Sequence, residues 1–248
     1  MTVPTDQKTV EIHLLNGLSD YGSTKTYQES LQQKLITEKL SGKRTIDGFL
    51  LFCQHPHVYT LGKFGNKSNL LADILKLRSI SAEFYQTDRG GDITYHGPGQ
   101  LVGYPVFNLD AFTTGIKNYV FTIEQAIINV MEMYNIHCQR LEGATGVWIK
   151  DDHAHSFRKI CAIGIRVNRG VSMHGFALNV NTDLSYFGHI NPCGFTDKSV
   201  TSMQQETGRA IEMNEVIREV TKQFEQLFQF NTIAVNEITI QASDTLHS

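Results

Sequence analysis

Apolar positions along the chain follow two spacings, one near two residues and one near three and a half. Residues 10–15 read as an opening strand, and 21–40 carry Tyr27, Leu31, Leu35 and Leu40 at helical spacing. The short apolar runs 49–53 and 58–61 predict buried strands, the second closed by Gly62. A further strand pattern covers 101–109. The clearest helix spans 117–134, where Val120, Ile123, Ile127, Val130, Met131 and Tyr134 share one face. Ile163, Ile165 and Val167 then alternate with smaller or polar residues, as do His174, Phe176, Leu178 and Val180. Arg169-Gly170 lies between the two runs and predicts a hairpin. Residues 214–228 predict a second long helix bearing Val216, Ile217, Val220, Phe224, Leu227 and Phe228. Beyond Asn231 the pattern fades. Ile238-Thr239-Ile240 is compatible with a strand, and 241–248 read as a frayed end.

Strands outnumber helices and come in clusters. The expected class is therefore α+β, with a mixed, largely antiparallel sheet flanked by helices. No composition shift marks a linker, so 1–232 are expected to form a single domain and 233–248 a partly disordered tail. The 248 residues are 41% apolar and 19% charged, as in an ordinary globular chain, and the formal charge of −3 gives no global attraction to nucleic acid or membrane. One window is locally basic. Arg140, Lys150, Arg158, Lys159, Arg166 and Arg169 stand against Glu142, Asp151 and Asp152, a net +3 that suits an acidic partner or simply a solvated surface. No signal peptide and no bilayer-length apolar run is visible. Four scattered cysteines form neither a disulfide framework nor a zinc pattern, which points to a cytoplasmic setting.

Arg89-Gly90-Gly91-Asp92-Ile93-Thr94-Tyr95-His96-Gly97-Pro98-Gly99-Gln100 is dense in glycine but lacks the Gly-Lys-Ser/Thr ending of a phosphate loop and opens no helix. It reads as a tight turn or as a binding wall that backbone can approach closely. Cys193, in Asn191-Pro192-Cys193-Gly194, sits in a loop 34 positions (193 − 159) after Lys159. A free thiol has a pKa near 8.5, and a neighbouring ammonium favours the thiolate. Spacing alone favours an inert small hydrophobe over a nucleophile for this thiol. Cys53 and Cys161 fit the inert description better. The pairs His55/His57 and His153/His155 have no third metal ligand at a familiar spacing. His96 and His174 are the imidazoles placed for a functional role, although His174 also suits a satisfied inward histidine.

The chain resembles the lipoyl(octanoyl) transferase family. Arg89-Gly90-Gly91 with Thr94 to Leu101 matches the family signature, followed in family order by Gly143-Ala144-Thr145-Gly146-Val147-Trp148, Lys159-Ile160-Cys161-Ala162-Ile163-Gly164, and His174-Gly175-Phe176-Ala177-Leu178-Asn179-Val180. Asn191-Pro192-Cys193-Gly194 and Val200-Thr201-Ser202-Met203 complete the set, with His55-Pro56 and Tyr59-Thr60-Leu61-Gly62 upstream. His57 and Lys63 depart from the family's usual proline and arginine.

The resemblance implies the catalytic fold shared by biotin and lipoate protein ligases. It also implies an enzyme of protein lipoylation that moves an octanoyl group from octanoyl-acyl carrier protein to a lysine of a lipoyl domain. The acceptors implied are the lipoyl domains of 2-oxoacid dehydrogenase complexes and the glycine cleavage H protein. By resemblance, Cys193 is the acyl-thioester nucleophile and Lys159 lowers its pKa. Arg89, Gly90, Gly91, Asp92, Ile93, Thr94, Tyr95, His96, Ala162, Ile163, Gly164, Gly175, Phe176 and Ala177 bind substrate. No metal or cofactor is expected, since the acyl group arrives activated. Gly90, Gly91, Gly164 and Gly175 are expected to leave room for the acyl chain. Three alternatives stay open: an ATP-dependent lipoate or octanoate ligase of the same fold, a cysteine hydrolase using His96 or His174, and a non-catalytic acyl-carrier-binding module.

Overall fold

Strand alternation sorts the apolar side chains into two layers around one large sheet. The computed structural model describes residues 7–112, 115–151, 156–191 and 198–240. The chain begins with β1 (Lys8–Leu18), α1 (Tyr21–Leu40), β2 (Gly48–Gln54), β3 (Val58–Leu61), α2 (Ile74–Ser79), β4 (Glu83–Gln86), β5 (Ile93–His96) and β6 (Gln100–Phe107). It continues through α3 (Leu109–Phe112), α4 (Ile116–Met133), β7 (Gln139–Leu141), β8 (Ala144–Asp151), β9 (Ser156–Asn168) and β10 (Val171–Asn179). β11 (Lys198–Val200), α5 (Met203–Thr207), α6 (Met213–Phe228) and β12 (Phe230–Ile238) close it.

The large sheet runs β12-β1-β2-β6-β10-β9-β8-β7, with β11 added beside β9. Its β12–β1, β1–β2 and β11–β9 pairings are parallel and the other five antiparallel. A small sheet, β4-β3-β5, stands apart. Leu50 and Phe52 of β2 face a core shared with α4 and α6 through Ile123, Ile127, Val220 and Phe224. Phe49, Leu51 and Cys53 face the other way, into a second core with Leu31, Leu35 and Ile36 of α1. A strand buried on both faces reads as an unbroken apolar run, which is why β2 lacks alternation in the sequence.

Helix α1 docks partly through polar groups. Its Gln32 Nε2 donates to the Val171 carbonyl at 2.9 Å, and its Gln28 Oε1 accepts from the His174 backbone N–H at 3.2 Å. Asp20 caps its start by accepting from the Ser23 N–H at 2.7 Å. The hairpin expected at Arg169-Gly170 is the β9–β10 turn, with both residues at positive φ. Two stretches differ from the sequence expectation. The glycine-rich block contains β5, paired antiparallel with β3. Residues 230–238, which straddle the expected tail boundary, form an edge strand in register with β1. Its burial alternates between half-covered and exposed, so little apolar signal remains to be read. Among the described residues no helix is long and apolar enough to cross a membrane.

Candidate active site

The large sheet and the small sheet enclose a cavity of about 510 Å³. Val102 on β6, Phe176 and Ala177 on β10, and Ala162, Ile163 and Gly164 on β9 form one wall. Gly91, Asp92, Ile93, Thr94 and His96 form the other, with Arg89, Lys159 and Gly175 also lining the space. The volume falls in the range of roughly 300–1,000 Å³ usual for small-ligand sites. Of the residues carried over by resemblance, Gly90 and Tyr95 lie off this cavity. Tyr95 packs instead in the small-sheet core against Tyr59, Tyr186 and Phe187.

Gly90, Gly164 and Gly175 serve close backbone approach rather than open space, which corrects the expectation that these three make room for a chain. A Cβ on Gly164 would stand 2.7 Å from the Gly90 carbonyl, and one on Gly175 would stand 2.1 Å from the Gly103 carbonyl. At Gly90 the neighbour is the Ile165 carbonyl, 3.2 Å away. Removing these side chains lets the 89–91 turn lie directly on β9, where the Gly90 N–H donates to Ile165 O at 2.9 Å. Arg89 locks that turn. Its guanidinium donates to the carbonyls of Thr60 (2.6 Å), Asp92 (2.7 Å) and Gly90 (3.0 Å), and to Thr60 Oγ1.

Polar side chains in the walls are held by one another. His96 Nδ1 is hydrogen-bonded to Gln100 Oε1 at 2.8 Å, Gln100 Nε2 donates to Asn179 Oδ1 at 2.9 Å, and Asn179 Nδ2 donates to Thr201 O at 2.9 Å. Burial pushes the His96 pKa down to about 3, with the His55 ring adding to the effect. His55 bonds Ser19 O at 2.6 Å and Tyr104 Oη at 2.8 Å, and burial takes it to about 4. Both rings are therefore neutral near pH 7. His174 sits at φ 60° with Nε2 2.9 Å from Asp88 Oδ1, and burial lowers its pKa although Asp88 opposes the shift. Asp88 also meets Arg166 at 2.7 Å, and the His174 hydrogen bond leads in holding its carboxyl at about 2. His174 is thus both a satisfied buried histidine and part of the cavity wall.

Lys159 occupies the far end of β9. Its ammonium lies 4.4 Å from the centre of the Trp148 ring, in the neighbouring strand position of β8. β11 pairs alongside, Val200 opposite Lys159, and the Thr201 N–H donates to Lys159 O at 3.0 Å. Cys193 lies outside the described residues, as do His153 and His155. Asn191 before it and Ser199 and Val200 after it all line the cavity. The other three thiols are poor nucleophiles. Burial raises the pKa of Cys53 and Cys161, and pushes Cys138 up to about 12.

The basic window at 140–169 is largely compensated inside the fold. Arg140 pairs with Glu124, Arg158 with Asp151 and Glu206, and Arg166 with Asp88. Glu124, Glu206 and Asp88 come from outside the window, so a count along the chain misses them. Sequence reasoning also missed Asp88, Trp148, Tyr21 and Tyr104 as neighbours of the site. Asp88 adjoins the Arg89 block and Trp148 ends a signature block, and these are the signals that point to them.

Residues 25–225 match the lipoyl protein ligase A/B catalytic domain. An octanoyltransferase of Bacteroides fragilis (strain YCH46) is 51% identical over 199 residues, covering 80% of this chain and 89% of the relative. An octanoyltransferase of Flavobacterium psychrophilum is 47% identical over 232 residues, covering 91% and 99%. Among solved structures, a lipoate-protein ligase A bound with ATP superposes at a TM-score of 0.69 with 15% identity, covering 96% of this chain and 90% of that one, a likeness of fold alone. The match across most of the chain and the agreement with these relatives place it: this chain belongs to the lipoyl protein ligase A/B catalytic domain family.

Proposed function

We propose that the chain is an octanoyltransferase of protein lipoylation, taking octanoyl groups from a carrier-protein thioester to lysines of lipoyl domains through Cys193. One observation carries the reading. Asn191 before Cys193 and Ser199 after it line the same cavity as Lys159. Only Pro192 stands between Asn191 and Cys193 in the chain, so their Cα atoms are at most about 7 Å apart. The relatives named octanoyltransferase support the acyl group chosen.

In the first step the Cys193 thiolate attacks the thioester carbonyl. A new C–S bond forms, the carrier's C–S bond breaks, and the leaving thiolate takes a proton from the Lys159 ammonium. Exchange of one thioester for another is nearly isoenergetic, so positioning and thiol pKa set the rate. In the second step the neutral amine of a lipoyl-domain lysine attacks the acyl-enzyme. The C–N bond of the amide forms, the C–S bond to Cys193 breaks to release its thiolate, and the proton lost by the attacking amine passes to the Lys159 amine, restoring its ammonium. The side chains of Val102 and Ala177, on the same face of the sheet, take the acyl chain. Each CH₂ buried there contributes about 0.8 kcal/mol. The lipoyl-domain acceptors of the dehydrogenase complexes and the glycine cleavage H protein follow from the same reading.

Intact mass measurement tests it. Incubation with octanoyl carrier protein, without ATP, should add one octanoyl group to the wild type and none to Cys193→Ala. Added lipoyl domain should then take up the label. Modification of the lipoyl domain only when free octanoate and ATP are supplied would overturn the reading in favour of a ligase.

A further inference from the structure

The segment between β3 and β4 presents a surface that the acyl-transfer site does not use. Phe64 and Leu75, 80% and 74% exposed, are the two most exposed large apolar side chains among the described residues, and Ile74 and Leu71 lie close by in sequence and are also exposed. Leu70, Ala72, Ile74, Leu75, Leu77 and Phe84, together with Asp73, line a groove of about 450 Å³. Apolar side chains gathered in this way mark an interaction surface more than scattered ones do.

The same segment is cationic. Lys63, Lys67, Lys76 and Arg78 stand against Asp73 alone, a local net charge of +3 on a chain whose formal charge is −3. The Asp73 carboxylate already caps α2 through the Lys76 N–H at 2.7 Å. Among the described residues none of these four cations forms an ion pair, unlike Arg140, Arg158 and Arg166.

This face is built onto the cavity rim. Leu70 bridges to Ile190, the Leu71 N–H donates to His189 O at 2.9 Å, and the Asn191 N–H donates to Asn69 O at 2.7 Å. On the other side the Lys63 N–H donates to Arg89 O at 2.9 Å, and Asn69 Nδ2 donates to Asp92 Oδ2 at 2.6 Å. Ile190, Asn191, Arg89 and Asp92 all line the cavity.

We infer that this apolar and basic face docks the acidic protein that carries the acyl donor, an inference that rests on the octanoyl-transfer reading. The partner fitting it presents apolar side chains among carboxylates. A thioester donor carried on a long prosthetic arm can reach the cavity from a protein seated beside the mouth. An acceptor lysine has only its four-carbon stem and must be brought over the mouth itself. The position of the face beside the rim therefore selects the donor.

Steady-state transfer with two donors tests the inference. The triple variant Lys67→Glu, Lys76→Glu, Arg78→Glu should raise KM for octanoyl carrier protein about tenfold and flatten its salt dependence. Its kcat/KM with octanoyl-pantetheine, which has no protein to dock, should stay at the wild-type value, as should KM for the lipoyl domain. Leu75→Ser, which changes no charge, should show the same selective rise. An unchanged carrier KM in variants that still use octanoyl-pantetheine would overturn the docking face alone. A rise in KM for the lipoyl domain instead would assign the face to the acceptor and overturn it as well. Failure of the wild type to transfer from octanoyl carrier protein would overturn the functional reading, and the docking inference with it.

Discussion

The Lys159 ammonium and the Trp148 ring face each other across the β8–β9 ladder at 4.4 Å, and this contact fixes a flexible side chain beside the cavity. A cation over an indole face is stabilised by about 0.5–2 kcal/mol, depending on desolvation. The backbone beneath is held too: Gly146 N–H donates to Glu124 Oε1 at 2.9 Å, and a Cβ at Gly146 would sit 2.6 Å from Cys161 O. If Lys159 sets the ionisation of Cys193, Lys159→Ala should move the midpoint of Cys193 alkylation up toward about 8.5. Octanoyl transfer should fall by about 10²–10⁴-fold. Trp148→Leu should give a smaller shift in the same direction. An alkylation profile in Lys159→Ala that superposes on the wild type would separate the lysine from the thiol.

Acid should destabilise the fold through its buried imidazoles before it reaches most carboxylates. His55 and His96 titrate at about 4 and about 3 in the folded chain, against about 6.5 when unfolded. Between those limits the unfolded chain binds more protons, so stability is full above pH 6.5 and falls as pH drops toward 4. The slope for each ring approaches about 1.4 kcal/mol per pH unit within that window. Urea unfolding at pH 7 and pH 5 measures the loss. His55→Gln should be less stable at pH 7 but should lose less on acidification, and an equally steep loss in that variant would exclude His55 as a source.

Glycine substitutions should divide by what their Cβ meets, not by proximity to the cavity. Gly175→Ala places a methyl 2.1 Å from Gly103 O and 2.6 Å from Pro105 Cδ, inside the β6–β10 pairing. Overpacking of this kind costs roughly 1–3 kcal/mol or more. Gly188 also lines the cavity, yet a Cβ there has no neighbour within 4 Å. Gly188→Ala should therefore leave Tm within a degree or so of wild type, while Gly175→Ala lowers it by several. Equal Tm values for the two would mean that the β6–β10 backbone shifts freely to admit a side chain.

Local order was legible where a segment carries its own signal. The spacing at 21–40 matches α1, 58–61 matches β3, and Arg169-Gly170 marks the β9–β10 turn. Edge strand β12 was not legible, because one side of it faces solvent and its alternation is weak. Nor was α2, six residues whose Ile74 and Leu75 point outward and so mimic a loop with stray apolar positions. The site divides the same way. Contiguous blocks carried Arg89, Lys159 and His174. The Asp88–Arg166–His174 cluster and the Glu124–Arg140 pair join residues 16 to 86 positions apart, and only the folded register brings them together.

The apolar wall should set which acyl chain is accepted. Ala177 lines the cavity directly opposite Val102 in the β6–β10 ladder, and its side chain is small where chain carbons would pack. Ala177→Leu fills part of that space from a strand whose backbone is fixed on both sides by β6 and β9. Each CH₂ displaced from the cavity forfeits about 0.8 kcal/mol, so exclusion of two carbons weakens octanoyl binding about tenfold or more. A butyryl chain, which need not reach the filled region, should keep its kcat/KM. The ratio of octanoyl to butyryl transfer in Ala177→Leu should thus fall at least about tenfold, with Cys193 alkylation unchanged because the thiol and Lys159 are untouched. Loss of both substrates in equal proportion, with a native Tm, would place the acyl chain elsewhere than against β10.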